Sequence, residues 1–207
     1  MIGIWQSDAM ARILQTLVAP LFPPQGPVRV MLFGEAPGPR GADQSGIPFW
    51  GDRAGTLVYR ALEAAGLARV PAEAYLDWDG ARFRTLGLSP RLTGAALSNA
   101  FPVCPTRDFQ TFRAPTDAEL KAEPNQARLR AELAEAMARC PGRLRVIAMG
   151  KRAEWVFSRM EAGFDLHTLP HPSAQGLLQA APGKGRGLKL EDLRRGWEAR
   201  LAALLEA

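Results

Sequence analysis

Two kinds of hydrophobic spacing alternate along the chain. Near-continuous apolar runs occupy residues 28–35 (VRVMLFGE) and 145–150 (RVIAMG). Runs of this kind suit parallel strands covered on both faces, where no side chain has to meet water. Residues 95–101 (AALSNAF) and, with weaker patterning, 165–171 (DLHTLPH) read as two further strands. Helical spacing fills the intervals. Leu57, Val58, Ala61, Leu62 and Ala65 recur on one face, behind Asp52 as N-cap and ahead of Gly66 as C-cap. Thr116 and Glu119 have the spacing of a capping box, Pro124 interrupts, and Leu129, Leu133 and Met137 carry an apolar stripe to about Arg139. Another helix is predicted from near Lys151 through Trp155 and Met160. A last one runs from about Leu190 to Leu205, with Leu190, Leu193, Trp197, Leu201 and Leu204 on one face. Residues 67–94 and 172–189 lack clean periodicity and read as loops or short helices. The alternation predicts an α/β fold, and with no linker or internal repeat, residues 1–207 read as a single domain.

Composition narrows the function classes more than the fold. With 47% hydrophobic and 23% charged residues in 207, the chain resembles an ordinary globular protein. No apolar run approaches the roughly 18 residues of a membrane span, and the first twenty residues carry Asp8 and Arg12, so neither a span nor a signal peptide is expected. Two cysteines, Cys104 and Cys140, cannot supply a disulfide framework, a four-thiolate zinc site or a four-cysteine iron–sulfur cluster. A cytoplasmic location and no metal or cofactor are expected. Lys and Arg exceed Asp and Glu by 26 to 21, a net charge of +5, and 22 of those 26 are Arg. Guanidinium forks suit phosphate, although the coding of a GC-rich genome would also enrich Arg and Ala.

Acid–base candidates other than carboxylates are few: two His, His167 and His171, and two Tyr, Tyr59 and Tyr75. No GxSxG elbow exists, and neither Gly150-Lys151-Arg152 nor Gly183-Lys184-Gly185 continues as a P-loop. In a parallel sheet, ligands bind beyond the carboxyl ends of the strands. The Gly34-Glu35-Ala36-Pro37-Gly38 turn, the Ser98-Asn99 strand end, Gly150 and His171 are therefore expected on one rim. Taken singly, Phe49 reads first as a core aromatic, Asn99 as a strand-end turn residue and His171 as an extended-loop residue. Their order along the chain is more specific.

GEAPG, a GxPFxGxxAG stretch, a strand ending in Asn, G-x-x-A at a helix start and a final HPS together resemble the uracil-DNA glycosylase superfamily, closest to its GEAPG-motif branch. The resemblance implies a three-layer α/β/α fold with a central four-stranded parallel sheet, acting on uracil flipped out of DNA. It implies that Phe49 stacks on the base, that the Asn99 amide reads its edge, and that His171 donates to the oxyanion developing on it. Gly34 and Ala36 would line the base pocket. Ser173 and the 34–38 backbone would hold phosphates, with Arg53 beside them on the DNA.

The sequence also departs from that pattern. Ala36 stands where the best-known branch has a water-activating Asp, which leaves Glu35 and Asp43 as the nearest carboxylates and the candidates for orienting water or stabilising a cationic sugar. The GEAPG branch often carries a four-cysteine iron–sulfur cluster whose ligands are missing here. Gly38 replaces a Tyr that excludes thymine, so bases such as hypoxanthine or xanthine also come into range. Leu177 or Leu178 is the expected wedge into the duplex, with Lys184, Arg186 and Lys189 following the phosphates. Trp78, Arg82 and Arg84 read as a DNA-contacting insertion or a lid. The expectation is thus a monomeric, cofactor-free glycosylase of base-excision repair whose partner is DNA bearing uracil or another deaminated base. The rival readings are a non-catalytic lesion-binding relative and a small-molecule nucleobase enzyme.

Overall fold

The structure, a computed structural model, describes residues 12–160 and 163–206. The expectation for the first twenty residues thus lies largely outside the described part. The described chain begins as an extended segment that reaches β1 (Val30–Gly34). After it come α1 (Ala42–Ser45), α2 (Arg53–Ala64), a two-stranded ribbon of β2 (Ala68–Arg69) and β3 (Arg91–Leu92) enclosing α3 (Gly80–Leu86), and β4 (Ala95–Asn99). The remainder is α4 (Asp117–Lys121), α5 (Glu123–Ala138), β5 (Leu144–Met149), α6 (Lys151–Phe157), β6 (Phe164–Leu169), α7 (Ala174–Ala180) and α8 (Leu190–Glu206).

The four main strands form a parallel sheet in the order β4-β1-β5-β6. Period-two alternation explains why it needs cover on both sides. Val30 and Leu32 of β1 point into one apolar cluster and Met31 and Phe33 into the other; Leu97 and Ala96 divide in the same way on β4, and Ile147 and Val146 on β5. The first cluster is closed by Leu57, Val58 and Leu62 of α2 with Trp197 and Leu201 of α8. The second is closed by Leu129 and Leu133 of α5 with Val156 and Phe157 of α6. The result is the three-layer α/β/α arrangement with a four-stranded parallel core. The outer edge of β4 is covered by the leading segment, where Leu21 and Leu97 exchange N–H···O bonds of 2.8 and 2.9 Å.

The capping box is present: Thr116 accepts from Glu119 N–H and the Glu119 carboxylate from Thr116 N–H. Pro124 falls in the first turn of α5, so it starts a new helix there. Helix α6 stops at Phe157, short of the predicted Met160, because Arg159 and Met160 bond back only three residues and tighten the last turn. Residues 172–189 contain α7, whose seven residues are too few to show a period. No helix among the described residues is long and apolar enough to cross a membrane.

Candidate active site

Chain direction puts the polar strand ends together. β1 lies between β4 and β5, and the chain crosses from β1 first to one side and then to the other, which opens a crevice at the carboxyl ends. A cavity of about 880 Å³ occupies that position, lined among others by Glu35, Ala36, Phe49, Asn99, Gly150 and His171.

Phe49 and Asn99 meet over Gly34. A Cβ at Gly34 would fall 2.6 Å from Asn99 Oδ1 and 2.8 Å from the Phe49 ring, closer than any side chain can sit. The backbone of Phe49 is left-handed, with φ 61°, an unfavourable conformation for a non-glycine residue. It is held by its surroundings: Tyr59 on α2 donates its hydroxyl to Pro48 O at 2.9 Å. Phe49 is thus both a packed aromatic and a cavity wall. Asn99 is 2% exposed, and its Nδ2 has no hydrogen-bond partner among the described residues. A buried amide donor left open costs free energy unless something completes it.

The β4 end that carries Asn99 is clamped from behind. Arg128 on α5 donates from Nη2 to Asn99 O at 3.0 Å, to Ala100 O at 3.2 Å and to Asn125 Oδ1 at 2.9 Å. The Glu132 carboxylate pairs with Arg128 Nη1 and accepts from the Ser98 hydroxyl at 2.7 Å. Bifurcated donation of this kind fits the planar guanidinium and not an ammonium.

His171 follows β6 and faces the same cavity. Ser173 N–H donates to His171 Nδ1 at 3.2 Å, which assigns the single proton of the neutral imidazole to Nε2. Burial pushes the His171 pKa below the ordinary 6.5, with the negative charge of Glu35 opposing. Glu35 is seated under Gly150, whose φ of 97° and missing Cβ permit the approach; a Cβ there would lie 2.5 Å from Glu35 Oε1. Arg152 N–H, in the first turn of α6, donates to the same oxygen at 3.0 Å.

Several expected residues are placed differently. Asp43 is fully buried outside the cavity, and its carboxylate accepts from Leu14 N–H at 2.7 Å and Thr16 N–H at 2.9 Å. It fastens the leading segment and is not positioned for catalysis. Leu177 is 4% exposed and packs into the core beside α8, so it cannot serve as a wedge, and Leu178 is half-buried and does not line the cavity. Lys184 and Arg186 are exposed but do not line the cavity, whereas Arg53 does. The Ser173 hydroxyl accepts from Gly176 N–H at 3.1 Å and caps α7, with the residue still at the cavity wall.

Other lining residues escaped the sequence reading. Asp52 is at the N-cap position of α2, but its side chain makes no cap bond and turns back to accept from Ala42 N–H at 3.1 Å. Burial raises its pKa to about 6, while hydrogen bonds from Ala42, Gly38 and Gly41 pull it down. The one signal was its place directly after the PFWG turn. Lys151, inside the G-x-x-A helix start, also lines the cavity, as do Phe112, Arg113 and Arg200, which no local motif marks.

The residues present do not fit an iron–sulfur cluster. Such a cluster needs four thiolates, and burial, with Asp43 and Asp52 nearby, raises the Cys104 thiol to about 12. Among the described residues no group of three His, Cys, Asp or Glu side chains is arranged to hold a metal ion.

The sequence matches the family model of the uracil DNA glycosylase superfamily over residues 21–193. A type-5 uracil-DNA glycosylase from Thermus thermophilus is 30% identical over 161 residues, which are 77% of this chain; the chain spans 61% of that relative's length. The crystal structure of SMUG2 from Pedobacter heparinus shares the fold, with a TM-score of 0.52 at 12% identity, covering 87% of this chain and 77% of that one. The family match spans far more than half the chain and includes every strand of the sheet and the Phe49, Asn99 and His171 positions. The chain belongs to the uracil DNA glycosylase superfamily.

Proposed function

We propose that this chain is a DNA glycosylase that hydrolyses the N-glycosidic bond of uracil in DNA, leaving an abasic site for base-excision repair, and that it acts as a single-domain monomer. The observation that carries the reading is the open Nδ2 of buried Asn99 beside the Phe49 ring. A uracil drawn into the cavity would stack on Phe49, accept from Nδ2 through its O4 and donate its N3–H to Oδ1. Pairing gives the buried Nδ2 the acceptor it lacks within the protein, which ties affinity to a base with this edge.

As the glycosidic bond breaks, its electron pair leaves with the base, and negative charge grows on a uracil oxygen. His171 Nε2–H donates to that oxygen; one such positioned donor is worth about 3–4 kcal/mol of barrier. A neutral imidazole suits this role because Nε2–H can donate while Nδ1 accepts from Ser173 N–H. The sugar becomes cationic, and Glu35, held by Arg152 N–H under Gly150 and near enough to His171 for their charges to interact, would stabilise it. Water adds its oxygen to C1′ and loses a proton, and the departed base ends protonated. Asp43 has no part in this scheme. The exposed Arg53 and Lys151 at the rim would meet phosphates, making binding salt-dependent.

A second reading, a lesion-binding protein without turnover, is favoured by one observation: Ala36 lines the cavity where a carboxylate could have faced the base. The experiment is base release from a labelled oligonucleotide with one uracil, single-stranded or paired with G or A, scored by alkaline cleavage, with His171→Ala in parallel. Cleavage that collapses in the variant supports the glycosylase. Salt-sensitive binding with no cleavage supports the second reading.

A further inference from the structure

Drawing a nucleotide out of a duplex leaves a gap in the base stack, and an apolar side chain at the mouth of the receiving cavity lowers the cost of that gap. Leu177 cannot fill it, because its side chain is enclosed in the core, and Leu178 is half-buried away from the cavity lining. Among the described residues that line the cavity, two are aromatic: Phe49 at the floor and Phe112, which is 46% exposed. Phe112 belongs to the segment between β4 and α4, so the strand that ends in Asn99 leads directly to it.

That segment is rigidly strapped. Thr106 and Phe112 form an isolated antiparallel bridge. The Asp108 carboxylate accepts from Gln110 N–H at 2.9 Å, Thr111 N–H at 2.7 Å and the Thr111 hydroxyl at 2.9 Å. Arg113, the next residue, donates its N–H to Pro105 O at 3.0 Å and pairs through both terminal nitrogens with Glu119 at the start of α4. A main chain fixed in this way already carries part of the ordering that insertion of its phenyl ring would otherwise require. An isolated exposed aromatic is unremarkable on a protein surface; one braced at the mouth of the cavity that holds Phe49 and Asn99 is placed to act.

We infer that Phe112 is the wedge of this protein, the side chain that enters the base stack of duplex DNA when a nucleotide moves into the cavity. The inference rests on the DNA-glycosylase reading for its ligand. It does not depend on which base is removed.

Two readouts test it on the full chain. The first is the ratio of duplex to single-strand uracil release under single-turnover conditions for wild type, Phe112→Ala and Phe112→Leu. Phe112→Ala should lower that ratio about tenfold, the scale of one lost base–aromatic stack, and Phe112→Leu should restore most of it. The second is the fluorescence of 2-aminopurine placed opposite a tetrahydrofuran abasic analogue in a duplex. Wild type and Phe112→Leu should change it on binding, and Phe112→Ala should not. An unchanged ratio and an unchanged fluorescence response in Phe112→Ala overturn the wedge, as does an equal loss on both substrates. Failure of wild type to release uracil while the fluorescence response still depends on Phe112 contradicts the uracil reading and leaves the wedge standing. Absence of any DNA binding contradicts both.

Discussion

Arg128 reaches through the second layer of the fold to donate to the main-chain carbonyl of Asn99 at 3.0 Å. The residue proposed to read the base therefore depends on a guanidinium that never touches the cavity. Arg128→Lys keeps the charge but loses the bifurcated geometry, and it should slow base release while lowering affinity for uracil-containing DNA less. Glu132→Ala leaves Arg128 without its counter-charge and should destabilise the fold by about 2–4 kcal/mol. Chemical denaturation and single-turnover rates on the same samples check both.

Gly34 offers a more local test. A methyl group there must displace either Asn99 or the Phe49 ring. Gly34→Ala is expected to weaken uracil recognition by more than about tenfold, consistent with a misplacement of a fraction of an ångström in a pre-organised site. Salt-dependent binding to undamaged DNA, measured by anisotropy, should stay near wild type.

Asp52 predicts a pH dependence of stability. Its native pKa is raised to about 6 from the ordinary 3.8, so between those values the native state holds more protons than the unfolded chain. Stability from this group therefore falls as pH rises from about 4 to 6 and stays low above that. Asp52→Asn removes the penalty and should stabilise the protein by about 1–3 kcal/mol near pH 8, with the advantage vanishing near pH 4. Melting curves across that range check the sign.

His171 predicts a different profile, in activity. Protonation would put a hydrogen on Nδ1, where it would oppose Ser173 N–H. Since burial holds the pKa below 6.5, base release should be flat through neutral pH and decline only below that value. His171→Ala should slow the reaction about 10²–10³-fold and abolish the acid limb.

Leu177→Ala separates core from wedge. Removing a buried leucine should cost about 2–5 kcal/mol of stability without a selective loss of duplex over single-strand activity.

The parts legible in the sequence share one property: their signal is local. The apolar runs of β1 and β5, the Thr116–Glu119 box and the ordered motifs around Phe49, Asn99 and His171 can each be read within a few residues. The place of Asp43 is not legible because its partners, Leu14 and Thr16, lie 29 and 27 residues away and use backbone N–H groups that no side-chain pattern reveals. The burial of Leu177 is not legible because α7 is two turns long, too short for periodicity to assign its buried face. Asp52 looked like a helix cap and instead ties down the 38–42 loop. No local pattern marks Arg128, whose role depends on which strand end α5 covers.

In the proposed function the open amide of Asn99 recognises a uracil, which is then released. Its most direct test is mass-spectrometric quantitation of free uracil and abasic sites from a uracil-containing oligonucleotide under single turnover, for wild type and Asn99→Ala. Equimolar uracil and abasic sites from wild type, with a rate at least about 100-fold lower in a variant that melts within a few degrees of it, is the predicted result. No uracil from wild type would rule out the glycosylase, and equal rates for the two proteins would rule out this role for Asn99.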